Sequence, residues 1–316
     1  MKDGIKIGIS RCLIGDKVRY DGSHKKDSFL TDTLGLYVSY VPVCPEVECG
    51  MPVPRESMRL VGDPDHPRLM TAKTQRDYTG RMISWCNRRL EELEKEDLCG
   101  FIFKKDSPSS GLFRVKVYTE AGMPGRVGSG LFARAFTERF PLIPVEEEGR
   151  LNDPEFRENF IERIFTLKRW RGVMAEKKSL GNIVHFHTQN KLLLLSHSET
   201  HYRRMGKLVA GGKAMTLEEL YKTYEQLLME ALELKTTVKK NINVLMHILG
   251  YFKKDLSGDE KKEILEILEQ YRKSEVPLIV PVTLVNHYVR RYDKAYLQEQ
   301  TYLHPHPTAL KLRNHA

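Results

Sequence analysis

Ile5-Lys-Ile-Gly-Ile-Ser10, running directly into Arg11-Cys12-Leu-Ile-Gly15, reads as a β-strand that ends in a loop carrying a cysteine. The same form recurs twice. Tyr40-Val-Pro-Val-Cys44 is a second, brief strand leading into Val43-Cys-Pro-Glu-Val-Glu-Cys-Gly50, and Gly100-Phe-Ile-Phe-Lys104 is a third leading into Lys104-Lys-Asp-Ser-Pro-Ser-Ser-Gly111. Between them, residues 78–96 place Met82, Ile83, Trp85, Cys86, Leu90 and Leu93 at the spacing of an amphipathic helix. Residues 114–118 predict another strand, 130–139 a helix that leads into 141–145, and 59–61 with 68–71 a small hairpin around a turn-rich segment. Strand and helix alternating in this way predict an α/β fold with a mainly parallel sheet covered by helices.

The 316 residues exceed one ordinary domain, and composition divides them. All five cysteines lie in the first hundred residues, and nine of the eleven histidines lie at or beyond His185. Acidic Glu146-Glu-Glu-Gly-Arg150 is a natural hinge, and Asn152-Asp-Pro-Glu155 a helix start with Pro154 at the first helical position. From about residue 182 the pattern is wholly helical, over 185–210, 216–249, 259–273 and 282–292, with Gly211-Gly212 and Ser257-Gly258 as punctuation. The expected organisation is an α/β domain over 1–148, a connecting helix and linker over 149–181, and an all-α domain over 182–316. A globular composition, a net charge of +9, no apolar run long enough for a membrane span and no secretory leader pattern predict a cytoplasmic protein without a membrane partner.

The cysteine-bearing loops carry the chemistry. In an open α/β sheet, ligands bind outside the carboxyl ends of the strands, so Cys12, Cys44 and the Ser107 turn should converge on one pocket. Cys49 follows Cys44 closely enough to join them. Two or three thiolates with few histidines nearby favour zinc or an iron–sulfur cluster, and the absence of a Cys-x-x-Cys pair argues against a closed zinc site. Glu46 would then be a carboxylate beside an open metal, suited to general acid–base work. Arg11, Lys104 and Lys105 could favour thiolates. Cys86, on the apolar helix face, reads as core filling, and Cys99 as core or a reserve ligand. For each thiol, plain burial is the competing reading.

Ser10-x-Cys-Leu-x-Gly15 with Val18-Arg-Tyr-Asp-Gly22, Cys44-Pro-Glu46 with Pro54-Arg55, and Ser107-Pro-Ser109 with Gly111 resemble the 2-thiouracil desulfidase (TudS) family over roughly residues 5–145. The resemblance implies a [4Fe-4S] cluster held by three cysteines, its free iron binding the sulfur of a thiolated pyrimidine while water replaces that sulfur. Carried over, Cys12 and Cys44 match two of the family's ligand positions, Glu46 matches the acid that handles protons, and Ser107 and Ser109 match its Ser-Pro-Ser turn, as catalytic hydrogen-bond donors to the ring or the developing oxyanion. Family members commonly have Ser-Pro-Ser-Cys-Gly, and Ser110 stands where that cysteine falls, so Cys49 is the expected replacement. Arg55 and Ser110 are the expected substrate-binding groups.

In the second half, His197-Ser-Glu-Thr-His201 puts two imidazoles one helical turn apart, a spacing able to hold a metal but equally a set of ordinary helix contacts. Asn190-Lys191, His201-Tyr202-Arg203, residues 241–247, Tyr251-Phe252, 276–281 and 302–307 are similar to the YbgA family over roughly 185–314. The expected function is iron–sulfur-dependent, non-redox desulfuration of a thiolated nucleobase or nucleotide. The alternative is a nucleic-acid-binding protein (RNA or DNA) with a structural, cysteine-bound metal.

Overall fold

The computed structural model describes residues 4–314. Its elements run β1 (Ile5–Ser10), β2 (Val38–Val43), a one-turn helix α1 (Pro45–Glu48), β3 (Met58–Val61), β4 (Arg68–Thr71), α2 (Thr79–Glu94), β5 (Leu98–Phe103), β6 (Val115–Tyr118), β7 (Pro124–Gly128), α3 (Leu131–Arg139) and β8 (Val145–Glu147). One sheet has the order β2-β1-β5-β8, and every pairing in it is parallel. Its inner strand β5 is buried at all six positions, as expected of a parallel strand covered on both faces. A second sheet, β4-β3-β6-β7, is mixed, with β3 and β6 parallel and the outer pairs antiparallel. The expected hairpin is the β3–β4 pair. Strand β7 has no counterpart in the sequence reading, since Pro124 and Gly125 mask any alternation.

The core explains the composition of the strands. Met82, Trp85, Cys86, Leu90 and Leu93 form the buried stripe of α2, and they meet Phe101, Phe103, Phe132 and Phe136. Phe101 stacks on Phe103 at 4.2 Å between ring centroids and packs on Phe136 at 4.8 Å. Each such ring, fully buried, contributes about 1.5–3 kcal/mol relative to exposure. Gly8 pairs with Phe101 across the sheet, and a Cβ placed there would lie 2.1 Å from that ring. The glycine is therefore a space requirement inside a strand.

Glu146 and Glu147, expected to be part of a hinge, are buried in β8. The Glu147 carboxylate accepts from Leu112 N at 2.8 Å and Phe113 N at 3.1 Å, and Arg150 pairs with Glu146 at 2.8 Å, so the acids are satisfied where they are buried.

By contacts the chain divides at Asp153/Pro154 into two compact units, so the helix read as a connector is counted with the second one. That unit is helical: α4 (Pro154–Ala175), α5 (Leu180–His197), α6 (Glu199–Ala210), α7 (Leu217–Glu233), α8 (Val238–Gly250), α9 (Gly258–Arg272), α10 (Ile279–Arg291) and α11 (Ala295–Gln298). Two long helices expected from the pattern are each broken once. Ser198 and Thr237, both in extended conformation, cap α6 and α8 by accepting from His201 N and Lys240 N, which outweighs continued apolar periodicity. Trp170 anchors this core against Phe186, Tyr221 and Tyr224. Among the described residues no helix is long and apolar enough to cross a membrane.

A buried ionic network closes the helical unit. Arg313 Nη2 lies 2.7 Å from Glu162 and Arg313 Nε 3.3 Å from Glu158, while Glu162 also meets His197 Nε2 at 3.1 Å. His197 Nδ1 is engaged by Leu234 O at 2.6 Å, and His201 Nδ1 by Ser198 Oγ at 2.9 Å, so the two imidazoles are committed to separate partners. Burial and the charge of Glu162 push Glu158 up to about 7, whereas Glu162, although buried, is held down by Arg313 and His197.

Two outcomes follow from these contacts. Gly8→Ala should destabilise the α/β unit by about 1–3 kcal/mol in urea unfolding, and adding Phe101→Leu should recover part of the loss. A folded-state pKa above the unfolded value means that the folded form holds the Glu158 proton more tightly. Stability from this group is thus present at low pH and lost as pH rises from about 4.5 to about 7. Glu158→Gln should flatten that decline in thermal melts taken across the window.

Candidate active site

Three neighbouring strand ends build one cleft. After β1, a tight turn over Arg11–Ile14 carries Cys12 and is closed by Gly15 at φ 104°, a left-handed conformation that glycine adopts without strain. After β2, Cys44 is the extended N-cap of α1, and Pro45 occupies the first helical position, where its missing N–H costs nothing. Glu48 folds back to accept from Cys44 N at 2.8 Å, and Arg89 holds the same carboxylate at 3.2 Å. After β5, Lys104 N donates to Ser10 Oγ at 2.9 Å, joining the first and third loops. Glu148, just past β8, pairs with Lys104 and accepts from Lys105 N at 2.7 Å.

The cleft has a volume of about 400 Å³, and its walls include Cys12, Cys44, Glu46, Arg55, Ser107 and Ser110. Glu46 is the most connected of them. Its Oε1 accepts from Ser109 Oγ at 2.7 Å, and its Oε2 lies 3.7 Å from Cys44 Sγ and 3.9 Å from Arg55 Nη2. Ser107 Oγ is 3.1 Å from Ser109 Oγ, which extends the chain of hydroxyls. Arg55 donates from Nη1 to Val18 O at 3.0 Å, and its buried Nε has no partner among the described residues. A buried, unanswered N–H costs free energy unless something else meets it, so Arg55 is equipped to receive an acceptor atom.

Burial dominates the thiols. It pushes Cys12 up to about 11 against the pull of Lys104, and, together with the charge of Glu46, pushes Cys44 up to about 12. Both are therefore neutral at ordinary pH unless a metal displaces the proton.

Cys49 does not reach this cleft. It closes the C-terminal end of α1, donates from Sγ to Glu46 O at 3.3 Å, and packs in the core with Met82 and Cys86. Five residues along a helix turn a side chain by about 140° from its starting direction, so Cys44 and Cys49 diverge. The structure thus places Cys49 in the core and off the cleft wall from which it was expected to supply a third ligand. Cys99, the reserve candidate, is the second residue of β5 and fully buried, away from the strand's carboxyl end. Cys86 is core, as its place on α2 predicts. Sequence reasoning missed Glu48 and Glu148. The first was readable from its place one turn after Cys44, whereas the second depends on the β5–β8 pairing. Among the described residues, no three His, Cys, Asp or Glu side chains group as a single metal ion would require.

The fold and cleft define an α/β unit with a thiol-bearing rim followed by a helical unit, and the comparisons with known proteins divide in the same way. Residues 7–148 match the family model described as 2-thiouracil desulfurase, and residues 191–307 match a protein family of unknown function, DUF1722. The chain is thus a fusion of a TudS-like unit with a YbgA-like one. The uncharacterized protein YbgA of Escherichia coli (strain K12) is 29% identical over 165 residues, covering 52% of this chain and 98% of that protein. The solved structure of the [4Fe-4S]-dependent thiouracil desulfidase TudS is 28% identical, with a TM-score of 0.39, and the match covers 47% of this chain and 94% of that one.

Cleft access should distinguish the thiols. Iodoacetamide labelling of folded, metal-free protein near pH 9, read by peptide mass spectrometry, should modify Cys12 and Cys44 well before Cys49. Equal labelling of all three would mean that Cys49 opens to the cleft.

Proposed function

We propose that the α/β unit removes sulfur from a thiolated pyrimidine base or nucleotide, replacing the thiocarbonyl by a carbonyl and releasing sulfide. One observation carries this reading: two cysteines from separate loops open into a cleft whose carboxylate, Glu46, is already held by Ser109 and Arg55. The match of residues 7–148 to the 2-thiouracil desulfurase family supports it. Water supplies the incoming oxygen and sulfide carries away the outgoing sulfur, so thiocarbonyl plus water gives carbonyl plus hydrogen sulfide with no net electron transfer.

The donor set fits an iron–sulfur cluster better than a single ion. Each thiolate of a cluster binds a different iron, so Cys12 and Cys44 need not meet at one point. The motifs around them resemble those of a family that uses [4Fe-4S], and Cys12 and Cys44 are the residues that would hold it. A bound cluster would supply a Lewis acid to polarise the carbon–sulfur bond.

The remaining steps belong to the protein's own side chains. Glu46 Oε2, on the side away from Ser109, removes a proton from water or returns one to the leaving group or ring nitrogen. Ser109 fixes the carboxylate's orientation, so that less reorganisation accompanies proton transfer. Arg55 donates to a ring carbonyl, and Ser107 adds a hydroxyl donor in the same cleft.

A second reading, nucleic-acid binding by the helical unit, rests on its charge and exposed aromatics. Residues 154–316 hold 27 Lys and Arg against 19 Asp and Glu, which places most of the net charge there. Tyr251, 47% exposed, stacks on Tyr296 at 5.1 Å, and Lys191 Nζ lies 6.0 Å from the Tyr296 ring. Aromatic faces among cations suit stacked bases.

Anaerobically purified protein should contain iron and acid-labile sulfide, and release sulfide from 2-thiouracil or a thiolated nucleoside. Cys12→Ala and Cys44→Ala should each lose the iron. Glu46→Gln should keep it while sulfide release falls by about 10²–10⁴. Iron-loaded protein that releases no sulfide from any thiolated base, nucleoside or RNA would sink the enzymatic reading. For the second reading, affinity of the full chain for single-stranded RNA should fall steeply with salt, and Tyr251→Ala should weaken it.

A further inference from the structure

Of the five cysteines, only Cys12 and Cys44 line the cleft, whereas Cys49, Cys86 and Cys99 lie in the core. Two thiolates are a sparse hold for a cluster, and the next donor on the wall is an oxygen. Ser110, in the loop that follows β5, lines the cleft and is almost fully buried. Its hydroxyl makes one contact among the described residues, to Ser109 Oγ at a weak 3.4 Å, so it is free to bind something stronger.

The backbone that presents it is tightly built. Ser110 N donates to Ser107 Oγ at 3.1 Å, and Gly111 N donates to Ser107 O at 2.7 Å, closing the turn from both sides. Two close approaches admit only glycine. A Cβ on Gly111 would lie 2.7 Å from Ser107 O, and one on Gly130 would lie 2.5 Å from the Ser109 carbonyl and 2.8 Å from Ser110 N. Phe132 N and Ala133 N, in the first turn of α3, both donate to Ser109 O. A turn clamped at this many backbone points holds its side chain in a defined position, which is what a ligand needs.

We propose that Ser110 provides an oxygen ligand alongside the Cys12 and Cys44 thiolates, so that the cluster is held by two sulfurs and one oxygen of the chain. The proposal rests on reading the cleft as an iron–sulfur site. As the iron–oxygen bond forms, the hydroxyl proton passes to solvent and no electrons move. Oxygen is a harder donor than sulfur and favours the more oxidised iron. A serine-ligated cluster thus resists reduction, a useful property where the chemistry is Lewis-acidic and not electron transfer.

The test compares wild-type protein, Ser110→Ala, Ser110→Cys and Cys49→Ala, each reconstituted anaerobically with iron and sulfide and read without substrate. Readouts are iron and acid-labile sulfide per chain, the electron paramagnetic resonance spectrum after dithionite reduction, and the reduction potential. Wild type and Cys49→Ala should match. Ser110→Ala should lose half or more of its iron or yield a cluster short of one iron. Ser110→Cys should keep the full iron content with a changed spectrum and a more positive potential, which separates ligation from a folding defect. Iron, spectrum and potential unchanged in Ser110→Ala would overturn the serine ligand while leaving the cluster reading intact. Loss of iron in Cys49→Ala alone would overturn it in favour of Cys49. Folded wild-type protein that takes up no cluster would overturn both this inference and the iron–sulfur reading beneath it.

Discussion

The parallel pairing of β1 with both β2 and β5 is the constraint on which the rest depends. Ser10 is in register with Val43, and Ile9 with Ile102, so the three chains leave the sheet side by side. Adjacent strands lie about 4.8 Å apart, and loops that begin at such a spacing cannot avoid one another. The register is itself enforced by packing, because β1 is buried at five of its six positions and a slip would move Gly8 away from the Phe101 ring. Gly8 contributes directly, since its missing side chain is the space taken by the Phe101 ring. The hydrogen bond from Lys104 N to Ser10 Oγ then ties two of the three loops at the rim.

Charge is handled differently in the two units. In the helical unit, Arg313, Glu158, Glu162 and His197 are buried together and answer one another, which makes the network a matter of structure. In the cleft the balance is left incomplete. Two thiols are held neutral by burial, one N–H of Arg55 has no partner among the described residues, and Glu46 is oriented on one oxygen while the other faces a thiol. Groups left so are costly to the fold alone, and such costs concentrate where a ligand is to be met.

Much of the architecture was legible because it depends on short-range pattern. The stripe from Met82 to Leu93 reads as a helix since those side chains share one face, and Pro154 marks a helix start because it has no N–H to waste. Errors arose where a local signal competed with a distant partner. Glu146 and Glu147 resemble a solvated hinge until Leu112, Phe113 and Arg150 are brought beside them. The long apolar runs of the second half continue past Ser198 and Thr237, yet side-chain caps break the helices there.

By itself, the order of residues determined that three apolar strands would each end in a loop with a reactive side chain, and that the second half would be helical. Local propensity and periodicity act over a few residues, and a single chain displays them in full. Only the tertiary structure decided which thiols share the cleft. Cys44 and Cys49 lie two and three residues from Glu46, but one helical turn and the packing of α2 send the first to the rim and the second to the core. Direction in space is set by what lies on the other side of the chain, and for Cys49 that neighbour, Cys86, is 37 residues away in the sequence.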